Sequence, residues 1–454
     1  MQYLFAGTLL VYLVTALYSI FIKRRVLGLN LFVILGIYLP MWLWQLNWSR
    51  HVDTAINNNF YLIFIYLNIA LIIYNFTVAD KVRIDASLFP DARSARVGAL
   101  HAMNIGYVLL FFFESYLGSG SIVPAFVNID IHTYSAPLIA FITRNLFVFV
   151  IVDIVAYFVT KKKSFIAWVI VLLAIPVVTR SMRISVLMTL VQVATFVILV
   201  LWSRRKSKTA LSVKGKLAIS GGVLFSIAAV VAMAMLTNAR MRYVGNNGPY
   251  EGYIAYTGPQ FGAEVLSVYY GYFPLSFNNL NLTLKTGIQA HDFWGLYSFR
   301  GFYFGFCQLD NLLGLDADAP SALRVYSTGA ATVNTGFYEY FYDYGVFCFI
   351  PIAAMIAICW YLTKRMQKSP SLFLATQYCC FVPLVFFESF QNVFFGDIML
   401  WEVIFMYILL RLLFKREDTE TERKIREKLA SVCSKLPFLK SKRHEVSSSN
   451  AVEM

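Results

Sequence analysis

Charge is scarce in this chain: Asp, Glu, Lys and Arg together make up 14% of its 454 residues, against 59% hydrophobic residues. The mean hydropathy is +0.63. An ordinary soluble domain carries about 25% charged residues, so composition alone places the chain in a bilayer. Cysteine is also thin. The six thiols (Cys307, Cys348, Cys359, Cys379, Cys380, Cys433) form no Cys-x-x-Cys, and only Cys307 falls in a connection expected to be exported. Neither a disulfide framework nor a zinc site is supported. Missing as well are a Walker-type phosphate loop, a Gly-x-Ser-x-Gly elbow and a His-Glu-x-x-His pair, so nothing supports ATP hydrolysis, serine-hydrolase or metalloprotease chemistry. The first apolar stretch has no basic region before it and no small-residue cleavage site after it, and is expected to be retained as a span.

What is abundant is apolar sequence in long runs. A span takes about 20 residues to cross roughly 30 Å of hydrocarbon. On that measure the chain reads as an all-α polytopic membrane protein of about eleven helices, at 3–22, 26–46, 60–78, 98–117, 138–160, 165–179, 184–202, 217–236, 344–362, 372–389 and 395–413. Helices 1–8 would occupy 1–236, a long exported loop 237–343, helices 9–11 344–413 and a charged tail 414–454. The net charge of +14 does not point to nucleic acid. Lys and Arg gather in short clusters (Lys23-Arg24-Arg25, Lys81 to Arg96, Lys161-Lys162-Lys163, Arg204 to Lys208, Lys364 to Lys368) that fall in alternate connections. This is the positive-inside pattern, and it places the C-terminus in the cytoplasm and the N-terminus and long loop outside. The loop is too long for a passive connection; its Gly, Tyr and Asn content suggests short amphipathic helices lying over the bundle. Asn281-Leu282-Thr283 matches a glycosylation triplet, a pattern too common by chance to carry weight.

Several arginines stand against the positive-inside bias. Arg180 and Arg183 sit in a turn between two apolar segments on the outer side, Arg240 and Arg242 open the long loop, and Arg300 and Arg324 follow within it. Six guanidinium groups on one side suit the oxygens of a diphosphate. For Arg300 and Arg324 the alternative is pairing with loop acids such as Asp310, Asp316 and Asp318, or with lipid headgroups. The passage from Arg324 to Gly345 then combines small polar residues (Ser327, Thr328, Thr332, Asn334, Thr335) with an aromatic run holding Tyr338, Glu339 and Asp343. Hydroxyls and amides beside flat aromatic faces suit a sugar, while an aromatic belt at the membrane interface explains the tyrosines equally well. Glu388, Asn392 and Asp397 lie near the same outer face. Each acid there is either a functional group or half of an ion pair holding two helices.

The outer Thr179-Arg180-x-x-Arg183 turn, the loop opening with Arg240 and Arg242, and the Asn334-Thr335-Gly336-Phe337-Tyr338-Glu339 … Asp343-Tyr344-Gly345 passage resemble the oligosaccharide repeat-unit polymerases, also called O-antigen or Wzy-type polymerases. The likeness covers roughly Phe165 to Phe414. It implies a glycosyltransferase C-like fold in a bacterial inner membrane. It also implies periplasmic transfer of an undecaprenyl-diphosphate-linked glycan onto a lipid-linked repeat unit, with release of undecaprenyl diphosphate. Donor and acceptor are then both lipid-linked oligosaccharides, no cofactor or metal is required, and a chain-length-determining co-polymerase is a candidate partner. Arg180, Arg183, Arg240 and Arg242 are assigned to the diphosphate, with Arg300 and Arg324 closing over it. Asn334 and Tyr338 are assigned to the glycan, and Asp343, Glu339 and Glu388, in that order, are candidates for the base acting on the acceptor hydroxyl. Two alternatives stay open: an O-antigen ligase on the same bundle, for which only His291 is available as the loop histidine, and a lipid-linked oligosaccharide flippase or polysaccharide transporter.

Overall fold

The computed structural model describes residues 1–23, 27–78, 82–124, 139, 142–180, 183–205, 231–232, 234–235, 237–239, 250–287, 294–307, 312–315, 323–327, 333–396 and 399–414. In chain order the helices are α1 (Gln2–Ile22), α2 (Leu29–Gln45), α3 (Asn58–Thr77), α4 (Val97–Ser119), α5 (Leu146–Thr160), α6 (Ser164–Arg180), α7 (Arg183–Arg205), α8 (Ala263–Tyr272), α9 (Pro274–Lys285), α10 (Phe337–Tyr344), α11 (Phe349–Lys368), α12 (Leu372–Ser389) and α13 (Met399–Leu413). No strand occurs among the described residues. Pairing outside helices comes down to two isolated antiparallel bridges, Ser49 with Tyr256 and Ala95 with Phe414.

Six helices, α1, α3, α4, the Ile184–Ser203 part of α7, α11 and α12, are long and apolar enough by length and composition to cross a membrane. In hydrocarbon every backbone polar group must be satisfied within the segment, which makes helix the form such a run takes. The shorter apolar helices α2, α5 and α6, and α13 with 15 residues, lie where further spans were expected. The expected span at 217–236 falls mostly outside the described residues. The span expected to start at 344 begins instead at Phe349. Gly345, at φ 54° and ψ −125°, ends α10 in a conformation that a side chain would resist, and so breaks an otherwise continuous apolar run.

α5 is the hub. Its residues from Leu146 to Ala156 are all buried, so a helix apolar on every side is surrounded on every side, with α6, α7 and α13 among its neighbours. By contrast α1 packs on α3 and leaves most of its surface outside the bundle. Where α2 crosses α12, Gly36 rests directly on the Phe386 backbone; a Cβ there would overlap the Phe386 Cα and carbonyl.

Contacts between connections sort the bundle into two ends. At one end Arg96 N–H donates to Leu413 O at 2.9 Å, Ser203 donates to Asp85, and Tyr378 donates to Leu27 O at 3.1 Å. The other end gathers residues 46–57, 250–287, 294–301, 323–327, 333–345 and 389–396. α9 organises it. Ten of its 12 residues are buried, so it is part of the core rather than a helix lying over the bundle as expected. Asn278 accepts from Asp53 N–H at 2.8 Å and donates to His51 O at 3.0 Å; Asn281 accepts from Asn57 N–H at 2.8 Å and donates to Ala55 O at 2.9 Å. From the same helix Asn279 donates to Val333 O at 2.6 Å and accepts from Ser327 N–H at 2.9 Å. These three asparagines satisfy the backbone of two loops that would otherwise be buried with orphaned groups.

Candidate functional site

α10 enters this end of the bundle with all eight residues buried. Phe337 meets Phe64 of α3 edge-on at 5.2 Å. Glu339 and Asp343 are four apart on α10 and so share a face, one turn above the other. Asp343 Oδ2 accepts the consecutive backbone N–H groups of Tyr297, at 3.1 Å, and Ser298, at 2.5 Å. Ser298 Oγ also donates to the Glu339 carbonyl at 3.3 Å. The carboxylate of Asp343 thereby fixes the strand of chain that carries Arg300.

Glu339 is the convergence point. Its Oε1 receives Arg324 Nη2 at 2.8 Å and lies 3.7 Å from Arg300 Nη1. Its Oε2 receives Asn392 Nδ2 at 2.8 Å. The Arg324 guanidinium also lies 5.4 Å from the centre of the Tyr338 ring, within cation–π range. Glu388 sits behind this group, with Oε2 accepting from Tyr340 Oη at 2.9 Å and Oε1 from the backbone N–H groups of Val393, at 3.1 Å, and Phe394, at 2.8 Å. Burial and then the Glu388 charge hold the Tyr340 phenol well above its ordinary value of 10.0, so it remains a proton donor to that carboxylate. Gly336 completes the corner, because its N–H donates to the Glu388 carbonyl at 2.8 Å and a Cβ at this position would run into Glu388 Oε2.

The acids are inside and the cations outside. The Arg300 and Arg324 side chains keep 24% and 16% of their surface exposed, whereas that of Glu339 keeps 4%; Asp343 and Glu388 are buried. An incoming ligand meets guanidinium first. Both arginines reach the same carboxylate oxygen, Glu339 Oε1. Close by in sequence three buried polar atoms, Arg324 Nε, Ser327 Oγ and Thr335 Oγ1, have no hydrogen-bond partner. Each such orphan costs about 1–3 kcal/mol, so these three atoms have hydrogen-bonding capacity that the described chain does not use.

Of the residues singled out from the sequence, Arg300, Arg324, Tyr338, Glu339, Asp343 and Glu388 are thus brought together. Asn334 lies next to them but faces α9, donating to Thr283 Oγ1 at 3.2 Å. Among the described residues Arg300 and Arg324 pair with Glu339 of α10; Asp310, Asp316 and Asp318 lie outside the described residues. Arg180 ends α6 and Arg183 begins α7, with their side chains outside the described part of the structure. Arg240, Arg242, His291, Asp397 and the tail from 415 also fall outside it. Residues not singled out beforehand are Tyr340, Ser298, Asn278 and Asn279. The signal available for the asparagines was three amides within four positions of an otherwise apolar stretch.

Comparison of the chain with family models, with curated proteins and with solved structures finds no match.

Proposed function

We propose that the chain is an inner-membrane oligosaccharide repeat-unit polymerase, transferring an undecaprenyl-diphosphate-linked glycan onto a lipid-linked repeat unit. The observation that carries this reading is the partly exposed Arg300 and Arg324 side chains backed by buried Glu339, with unsatisfied Arg324 Nε, Ser327 Oγ and Thr335 Oγ1 on the same passage. A diphosphate suits the guanidinium forks, and a sugar's hydroxyls suit the orphaned donors and acceptors. The arginines neutralise charge as it develops on the leaving diphosphate, which is the largest electrostatic demand of such a transfer. Glu339, touching both arginines, is the carboxylate nearest that chemistry, and we assign it to orienting the acceptor hydroxyl. Asp343 and Glu388 hold the surrounding backbone in place. Arg180, Arg183, Arg240 and Arg242 complete the diphosphate clamp in this reading; Tyr338 and Asn334, assigned to the glycan from the sequence, are buried, the first against Arg324 and the second against Thr283 of α9, and serve as supports of the site. In this reading the site end of the bundle faces the periplasm, which is supported by the positive-inside pattern of the clusters Lys161 to Lys163 and Lys364 to Lys368 at helix ends.

The lipopolysaccharide of a deletion strain tests this. Loss of a polymerase leaves the core with a single repeat unit. Bare core with accumulated lipid-linked polymer would identify a ligase instead, and bare core without polymer a flippase.

A further inference from the structure

Away from the arginine–carboxylate cluster, the same end of the bundle holds a cleft of about 300 Å³ lined by Arg50, Glu251, Gly252, Ala255, Tyr256 and Gln260. We propose that this cleft binds one sugar ring, gripped between the Arg50 guanidinium, the Glu251 carboxylate and the Gln260 amide. The volume is at the low end for small-molecule sites, room for a single ring rather than for a lipid chain.

Its walls are fixed by backbone pairing between two distant stretches. Arg50 N–H donates to Ala255 O at 3.2 Å, Thr257 N–H to Trp48 O at 3.0 Å, and Ser49 Oγ to Ile254 O at 2.5 Å. Trp48 N–H donates in turn to Tyr270 Oη at 3.0 Å. Ala255 is held at φ 47°, a left-handed conformation that a residue with a Cβ adopts at a cost of about 1–2 kcal/mol and keeps only where its surroundings impose it. Gly258 is pressed against Tyr256 and Trp48 so closely that a Cβ would collide with both. The cleft is therefore preformed, and rigid walls lower the entropy lost on binding a small ring.

The chemistry of the lining selects the ligand class. Arg50 and Glu251 both face the cleft, yet no ion pair joins them to each other or to any described residue. An anion would meet the carboxylate and a cation the guanidinium, so neither satisfies both. A neutral polyol does, since its hydroxyls donate to Glu251 and accept from Arg50 and Gln260. Tyr256 adds a buried phenol oxygen with no partner. Its ring is the one aromatic in the cleft lining and the apolar surface there for the C–H side of a sugar, held from behind by edge contacts with Trp48, at 6.3 Å, and Tyr270, at 6.1 Å. α9 links cleft and cluster, since Asn278 and Asn281 hold the 51–57 stretch beyond Arg50 while Asn279 holds the passage of Ser327 and Val333. The sugar class follows from the cleft's own groups; that the ring belongs to a glycan being extended rests on the polymerase reading.

The test is saturation-transfer NMR on the full chain in nanodiscs, with lipid-free methyl glycosides of common hexoses and N-acetylhexosamines as probes. At least one probe is expected to bind in the millimolar range. Arg50→Ala and Glu251→Gln, each removing a charged hydrogen-bond partner, are each expected to weaken that binding about tenfold or more, with Gly98→Ala on α4 leaving it unchanged. The proposal is overturned if no probe binds the parent chain or if both cleft variants bind as the parent does. Gel filtration confirms that each variant is folded. Failure here leaves polymer formation untouched, and failure of polymer formation leaves this binding measurable.

Discussion

Arg324 donates to Glu339 Oε1 at 2.8 Å while its guanidinium lies over the Tyr338 ring, so one cation is held by a carboxylate and an aromatic face drawn from consecutive residues of α10. Glu339 in turn serves Arg300 and Asn392. Removing the carboxylate leaves two guanidiniums close together without their shared charge partner. Glu339→Ala is expected to cost about 3–5 kcal/mol, the range for breaking a buried pair, read as loss of folded protein from the membrane. Glu339→Gln keeps a hydrogen-bond acceptor and is expected to stay in the membrane while polymer formation falls about a hundredfold or more. A full-length ladder from Glu339→Gln would confine the residue to architecture.

The corner at Gly336 makes a steric prediction. A Cβ there meets Glu388 Oε2 and lies 2.8 Å from the Asn392 backbone. Gly336→Ala is expected to destabilise by about 1–3 kcal/mol or more, as overpacking does. Gly98→Ala on α4, with nothing within 4 Å of the added carbon, is expected to be neutral or slightly stabilising. Thermal unfolding of both variants in the same detergent makes the comparison.

Asn281 belongs to a glycosylation-like triplet, yet it is buried and spends its amide on Asn57 N–H and Ala55 O. Asn281→Ala removes both hydrogen bonds, each worth about 0.5–1.5 kcal/mol net where water can reach the freed group, as it can at exposed Ala55 and half-buried Asn57. The expected result is a lower unfolding temperature together with faster amide exchange confined to residues 51–57. Unchanged exchange there would show that the loop is held by other contacts.

Acid should loosen the same loop. The Lys285 ammonium, donating to Asp53 at 2.5 Å, pulls that carboxylate below its ordinary value of 3.8. A group whose folded value is depressed contributes stability that is complete above its unfolded value and is lost as pH falls through the folded one. Asp53→Asn is therefore expected to be less stable than the parent at pH 7, by the ~0.2–1 kcal/mol of an exposed pair. The gap should close as the pH drops below 3.8, as followed by unfolding at several pH values.

The all-α character and six of the expected spans were legible because a run such as Asn58–Thr77 has one way to satisfy its backbone in hydrocarbon. The burial of α9 was not legible, since its apolar stretches are interrupted by amides whose partners (Asp53, Asn57, Ser327, Val333) lie far away in sequence. The break at Gly345 was hidden inside an apolar run, where hydropathy carries no information about φ. Arg324, Glu339 and Asp343 were visible as residues out of place in an aromatic passage. That Glu339 would gather Arg300 and Asn392 was not visible, because that convergence is set by tertiary packing rather than by spacing.

The central claim, that this chain polymerises lipid-linked glycans at an arginine-lined site, meets its most direct test in reconstitution. Purified chain in liposomes is supplied with undecaprenyl-diphosphate-linked repeat units in excess EDTA, and products are resolved on a gel. The expected result is a ladder of lengthening glycans with free undecaprenyl diphosphate released, reduced about a hundredfold or more by the Arg300→Ala, Arg324→Ala double variant at normal protein level, since each arginine contributes charged hydrogen bonds of about 1.5–3 kcal/mol. Repeat units recovered unextended, with no diphosphate carrier released, would contradict it.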